Sequence, residues 1–173
     1  MLQEYAIECT CSHRAQKFQL AFARTAMQLL GRHEDIAFAA RRAGLTILAE
    51  TELALERPLS RLHDLYADAL CIGPPLVRYR RGAIVEEPYM GLRVLCPPTQ
   101  LEAVKRDLLT RGASILDTES NDRFGVVRAS AALARLIGYP GRVRELTSEH
   151  VQLVMWLSHY ARVEPTLPGG DAA

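Results

Sequence analysis

The sequence predicts an α+β fold: two small domains in tandem, each a four-stranded sheet carrying two helices. Three observations lead there. Stretches with apolar residues at every second position alternate with stretches at helical spacing. Gly, Pro, Ser, Asn and Asp punctuate them at the expected loops. And the order of elements read in residues 1–82, βαββαβ, recurs in residues 83–164. A chain of 173 residues has room for two domains of that size.

In the first unit, Tyr5, Ile7, Cys9 and Cys11 alternate with Glu8 and Thr10, the pattern of a half-buried strand. Ser12 is read as the cap of a helix that carries Phe18, Phe22, Thr25 and Leu29 on one face and stops at Gly31. Asp35 to Ala40 and Leu45 to Ala49 make a hairpin across Arg41-Arg42-Ala43-Gly44. Leu55, Leu59, Leu62, Tyr66 and Ala69 form the second helical stripe, and Pro58 marks either its start or a kink. Leu76 to Arg80 closes the unit as its fourth strand.

The second unit opens with a strand at Tyr89 to Cys96, stopped by Pro97-Pro98. A helix follows with Leu101, Val104 and Leu108 on one face, ended by Gly112. Ala113 to Thr118 and Phe124 to Ala129 form a hairpin across Ser120-Asn121-Asp122. Ser130 is read as the cap of a short helix, Ala131 to Ile137, and Tyr139 to His150 as a polar, basic loop. Val151 to Tyr160, apolar at nearly every position, is expected to be a central strand. Two consecutive βαββαβ units are two ferredoxin-like sandwiches, joined near Arg81-Gly82-Ala83 and followed by a flexible tail over 165–173. Each leaves one sheet face uncovered.

Composition narrows the function. The formal net charge is only +1, so nucleic acid contact must come from a local patch. No apolar run is long enough to cross a bilayer, and Met1 to Glu8 lacks the basic and apolar regions of a signal peptide. A cytoplasmic protein is expected, with Cys9, Cys11, Cys71 and Cys96 as thiols. Cys9, Cys11 and His13 could share a strand face, but closed zinc sites want four ligands, so the cysteines are read as core and no metal or cofactor is expected. His159 and Tyr160 have no carboxylate partner at motif spacing and no G-x-S-x-G elbow occurs, so no enzyme is expected. Trp156 is expected to pack against a helix or the other domain.

Glu87-Pro88-Tyr89-Met90, Gly138-Tyr139, Arg144-Glu145-Leu146-Thr147 and Ser158-His159-Tyr160 together resemble domain V of translational GTPases of elongation factor G type. More weakly, Gln16-Lys17-Phe18 with Ala21-Phe22-Ala23-Arg24, then Leu45 to Ala49, Glu52-Leu53 and Gly73-x-Pro75-x-Val77-x-Tyr79-Arg80 resemble domain III of the same family. The resemblance implies domains III and V only, with domain IV and the GTPase domain lacking; no GxxxxGK[ST] loop stands in the sequence. Three departures from the family pattern stand out. Ala49-Glu50-Thr51 replaces Ala-Gly-Met, Ala54 replaces a histidine, and Ser148-Glu149-His150 replaces a glycine-bearing segment.

The resemblance implies a ribosome-directed surface on ribosomal RNA and protein; lacking a phosphate-binding loop and a long apolar run, the sequence is expected to bind no nucleotide and no membrane. Its candidate contacts are two basic groups: Arg78, Arg80 and Arg81 at the junction, and Arg135, Arg142, Arg144 and His150 in the second unit. Arginine suits phosphate because its planar fork donates two parallel hydrogen bonds. The expected function is a non-catalytic, translation-factor-like binding protein. The alternative is a ligand-sensing or oligomerising module, with a homodimer as partner, because small open sheets also pair with one another.

Overall fold

A computed structural model describes residues 5–163; the tail predicted over 165–173 lies outside the described residues. The fold is α+β, with two antiparallel sheets each backed by helices.

The first sheet has β1 (Ile7–His13), β2 (Ile36–Arg41), β3 (Gly44–Ala49), β4 (Leu70–Ile72) and β5 (Leu76–Val77). Its order is β2-β3-β1-β4, with β5 also on β1. The alternation read in β1 holds: Ile7, Cys9 and Cys11 are buried. The fourth strand is earlier than predicted and broken. β4 pairs with the end of β1 and β5 with its start. Between them Gly73-Pro74-Pro75 supplies one backbone donor, which Gly73 gives to Thr10 C=O at 2.9 Å. Arg80 belongs to the other sheet.

α1 (Gln19–Leu30) and α2 (Glu52–Tyr66) cover one face of this sheet. Ser12 does not cap α1; it lies inside β1, and the helix begins after Phe18, whose side chain makes no cap bond. Gln19 ties the helix start to the strand end instead, accepting from His13 N–H at 2.8 Å and donating to His13 C=O at 2.8 Å. The buried face is Phe22, Ala23, Ala26 and Leu30, whereas Phe18, Thr25 and Leu29 are exposed. The small alanines let the helix approach the sheet closely. α2 begins before Pro58 and runs through it, capped by Thr51, whose hydroxyl accepts from Ala54 N–H at 3.2 Å.

The second sheet has β6 (Arg80–Arg81), β7 (Val85–Cys96), β8 (Ser114–Ser120), β9 (Gly125–Ala132) and β10 (Gln152–Arg162). Its order is β10-β7-β9-β8, with β6 also on β7. α3 (Leu101–Thr110) buries Leu101, Val104 and Leu108 as predicted. Asn121 closes the β8–β9 hairpin, its side chain accepting from Arg123 and Phe124 N–H.

Three expectations fail in this half. Ser130 is a β9 residue opposite Gly91, and the short helix α4 (Leu133–Leu136) starts after Ala132. Tyr139 to His150 is not a loop: residues Tyr139–Leu146 form α5, with Tyr139, Pro140 and Val143 buried. Pro140 stands in the first turn, where no intrahelical donor is needed. And β10 is an edge strand, mostly exposed, while β7 and β9 are central. Trp156 lies on the uncovered face. Its partner in register is Gly91, where a Cβ would come within 2.4 Å of the indole ring, and it is 44% exposed.

Candidate functional site

The basic residues expected to contact phosphate are spread over β6, α4, α5 and two connecting stretches, and most already have partners. Arg78 Nη1 donates to Tyr5 C=O at 3.1 Å, with its Nε 3.5 Å from Glu8. The Arg80 guanidinium stacks 3.7 Å over the Tyr160 ring, joining β6 to β10. Arg81 follows it on β6, opposite Val85, and is exposed. Junction arginines 78, 80 and 81 therefore sit in one stretch of chain, but Arg78 is held by the first sheet and Arg80 by the second.

The second basic group is spread over α4, α5 and the turn behind α5. Arg135 packs its guanidinium near Gly112, and its backbone C=O accepts from Arg111 at 3.2 Å. Arg142 lies 3.4 Å from Asp107 and 3.3 Å from Glu145. Asp107 also holds Arg111 at 2.9 Å. Arg144 makes a two-pronged pair with Glu56 of α2, at 2.8 and 2.9 Å. His150 Nδ1–H donates to Ser148 C=O at 2.8 Å, in a turn where Ser148 and Glu149 both take positive φ, 48° and 67°. That is the segment where the family pattern has glycine.

Sequence reasoning missed the acids that face this group. Glu50, Glu52 and Glu56 cluster at the start of α2, and each reaches the other half of the chain. Glu50 accepts from Leu157 N–H at 2.7 Å, next to the register shift in β10 between Leu157 and His159. Glu52 accepts from Gly138 N–H at 2.8 Å, at the start of α5. Glu56 takes Arg144. One helix start thus grips β10, the N-terminal turn of α5 and its outer face. The residues that depart from the family pattern at 50 and 51 do structural work: Glu50 makes the first of these contacts, and Thr51 caps the helix that presents the rest.

Burial raises the Glu52 carboxyl above the usual carboxylate range; the Gly138 N–H opposes this, and nearby Glu56 adds to it. Between the ordinary and the raised value the native state holds a proton that the unfolded chain has already lost. Its stabilising contribution is full below the ordinary carboxylate pKa and is lost as pH rises through the raised value. We expect Glu52→Gln to keep the acceptor for Gly138 and remove this fall. The check is urea unfolding midpoints at pH 4.5 and pH 7 for both proteins: the wild type loses more stability between them than the variant.

Between the halves lies a cleft of about 300 Å³, walled by Leu55 and Leu59 on one side and Pro140 and Gly141 on the other. Among the described residues no three His, Cys, Asp or Glu side chains stand close enough to hold a metal ion. Cys9 and Cys11 are buried, the Cys9 thiol donates to Gly73 C=O at 3.3 Å, and the contact with Cys9 together with burial pushes the Cys11 thiol well up. Among the described residues no helix is long and apolar enough to cross a membrane.

Residues 84–169 match the family model described as Elongation factor G C-terminus. A curated relative, elongation factor G 2 of Hahella chejuensis (strain KCTC 2396), is 33% identical over 75 residues, which is 43% of this chain and 11% of that protein. Among solved structures, the crystal structure of ttk003000868 from Thermus thermophilus matches with a TM-score of 0.65, at 16% identity, over 95% of this chain and 42% of that one. This chain spans about a tenth of that relative and under half of that solved chain. The structural likeness shows the fold, and it runs through both sheets.

Proposed function

We propose that this chain, whose second half is an elongation factor G C-terminus-like domain, is a non-catalytic docking unit that binds the ribosome or a translation-associated partner. In this reading residues 1–82 are a domain III-like unit, whose last strand β6 crosses into the second sheet, and residues 83–164 a domain V-like unit, without an intervening domain IV. The observation that carries the proposal is the match over 84–169, which covers α5 and both of its arginines. The acids of α2 support a rigid pair of units, so that basic residues on both can meet one surface together.

The geometry ranks the candidate contacts. Arg81 and Arg142 are exposed and reach solvent, whereas the two-pronged Glu56 pair ties Arg144 to the fold. The test is co-sedimentation with purified ribosomes at two salt concentrations. Wild type is expected to pellet, less so at high salt because phosphate contacts release counterions. Arg81→Glu/Arg142→Gln is expected to lose most of that binding while keeping its thermal midpoint, since exposed ion pairs such as those of Arg142 contribute little and glutamine adds no like charge beside Asp107 and Glu145. Failure of the wild type to pellet at low salt would count against the whole reading; unchanged pelleting of the variant would count against these two residues.

A further inference from the structure

β2 is an open edge, and its backbone pattern follows from the turn beside it. Arg41 and Gly44 flank a two-residue turn, so they must exchange both hydrogen bonds; Ala39 with Thr46 and Ala37 with Leu48 then do the same. The N–H and C=O groups of Ile36, Phe38 and Ala40 therefore point away from the sheet. β2 has no second neighbouring strand in its sheet among the described residues.

The charges along this edge are self-complementary. It reads Glu34-Asp35, then Ile36 to Ala40, then Arg41-Arg42. All four charged residues are exposed, and none of their side chains has a hydrogen bond or ion pair among the described residues. An antiparallel copy of the strand, centred on Phe38, sets Phe38 opposite Phe38 and Ile36 opposite Ala40, each pair exchanging both hydrogen bonds. The same register sets Asp35, which directly precedes the strand, opposite Arg41 at both ends. By alternation Asp35 and Arg41 point to one face, and the intervening Ala37 and Ala39 are too small to obstruct the approach. Directly opposite residues of this kind lie about 5 Å apart at Cβ, close enough for opposite charges to attract.

The other edges lack this pattern. β8 shifts register between Ile115 and Asp117, and its acids are held by Arg128. β4 and β5 are interrupted by Gly73-Pro74-Pro75. β10 meets Glu50 at Leu157. Beside β2 runs a groove of about 670 Å³ with Met27, Ile36 and Phe38 in its lining, which a second Phe38 on the axis would help to fill. Arg24 and Arg32 also line it, and their long side chains can keep the charge in water.

We propose that two copies of this chain pair antiparallel along β2, centred on Phe38, into one continuous sheet closed at each end by an Asp35–Arg41 ion pair across a two-fold axis. The inference is independent of ribosome binding. The test is sedimentation equilibrium of the whole chain across the micromolar range. Wild type is expected to show a monomer–dimer equilibrium. Asp35→Arg alone and Arg41→Asp alone each set like charges opposite one another and should each raise the dissociation constant by at least about tenfold. An equimolar mixture of the two variants restores both opposite-charge contacts, so it should dimerise as well as wild type. That recovery requires both variants to be folded, which separates lost pairing from lost structure. A wild type that stays monomeric throughout the range, or a dimer indifferent to both substitutions, overturns the proposal.

Discussion

Replacing Gly44 with alanine is expected to cost about 3 to 5 kcal/mol, enough to unfold the first sheet of a protein of ordinary stability. Gly44 opens β3 directly after the hairpin turn and takes φ +136°, a conformation L side chains rarely adopt. A Cβ there would fall 2.1 Å from Cys11 C=O and 3.0 Å from its carbonyl carbon. Both atoms are backbone of the central strand β1, so no side chain can rotate out of the way. The only relief is to lift β3 from β1, which breaks the pairing from Leu45 to Ala49. Gly141→Ala is the control. Its Cβ would meet nothing within 4 Å, and alanine favours the helix by about 1 kcal/mol over glycine. Urea unfolding followed by far-ultraviolet circular dichroism should show a severe loss for the first variant and none for the second. Equal effects would remove the steric account.

Tyr139 gives the second large effect, with opposite signs for two substitutions. The side chain is fully buried at the start of α5, and its hydroxyl has no hydrogen-bond partner among the described residues. Burial, reinforced by Asp107, pushes its ionisation well up, and the Arg111 guanidinium lies 5.3 Å from the ring centre. An unmet buried hydroxyl costs about 1 to 3 kcal/mol, so Tyr139→Phe should stabilise the protein by about 1 kcal/mol while preserving the ring contacts. Tyr139→Ala leaves a cavity under α5 and should cost about 3 to 5 kcal/mol. Because α5 carries Arg142 and Arg144, ribosome pelleting should follow stability in the alanine variant and remain at wild-type level in the phenylalanine variant. A destabilised Tyr139→Phe protein would mean that the hydroxyl is satisfied by water.

The residues show what a sequence can and cannot reveal here. β1 was legible because its partners on both sides leave one face buried and one not, so period two survives in the residue types. α1 was legible as a helix but not in its face: Phe18 and Leu29 outrank Ala23 and Ala26 in hydrophobicity, yet close approach to the sheet selects the small residues. α5 was hidden because Tyr139 to His150 is mostly polar and basic and so read as a loop, although the helix buries its apolar Tyr139, Pro140 and Val143. β10 looked central because its apolar residues are plentiful, but its outer face holds Trp156 in solvent. The candidate site was legible only in part. A list of arginines carries no record of the carboxylates opposite them, and Glu56 stands far from Arg144 in sequence. Glu52 stood out only as a match to the family pattern and Glu50 only as a departure from it, and Glu56 left no signal, since each partner lies in the other half of the chain.

The short strand β6 has a consequence for anyone dissecting or recombining these halves. The chain looks divisible at Gly82, yet Arg80 and Arg81 are already paired with Glu86 and Val85, and Arg80 covers the Tyr160 ring. A fragment beginning at residue 83 would expose the β7 edge and strip the cover from the last strand. The natural cut for a transplantable second half lies before Arg80. Chimaeras exchanged there should inherit an intact sheet, whereas those spliced at Gly82 carry a defect that resembles intrinsic instability of the module.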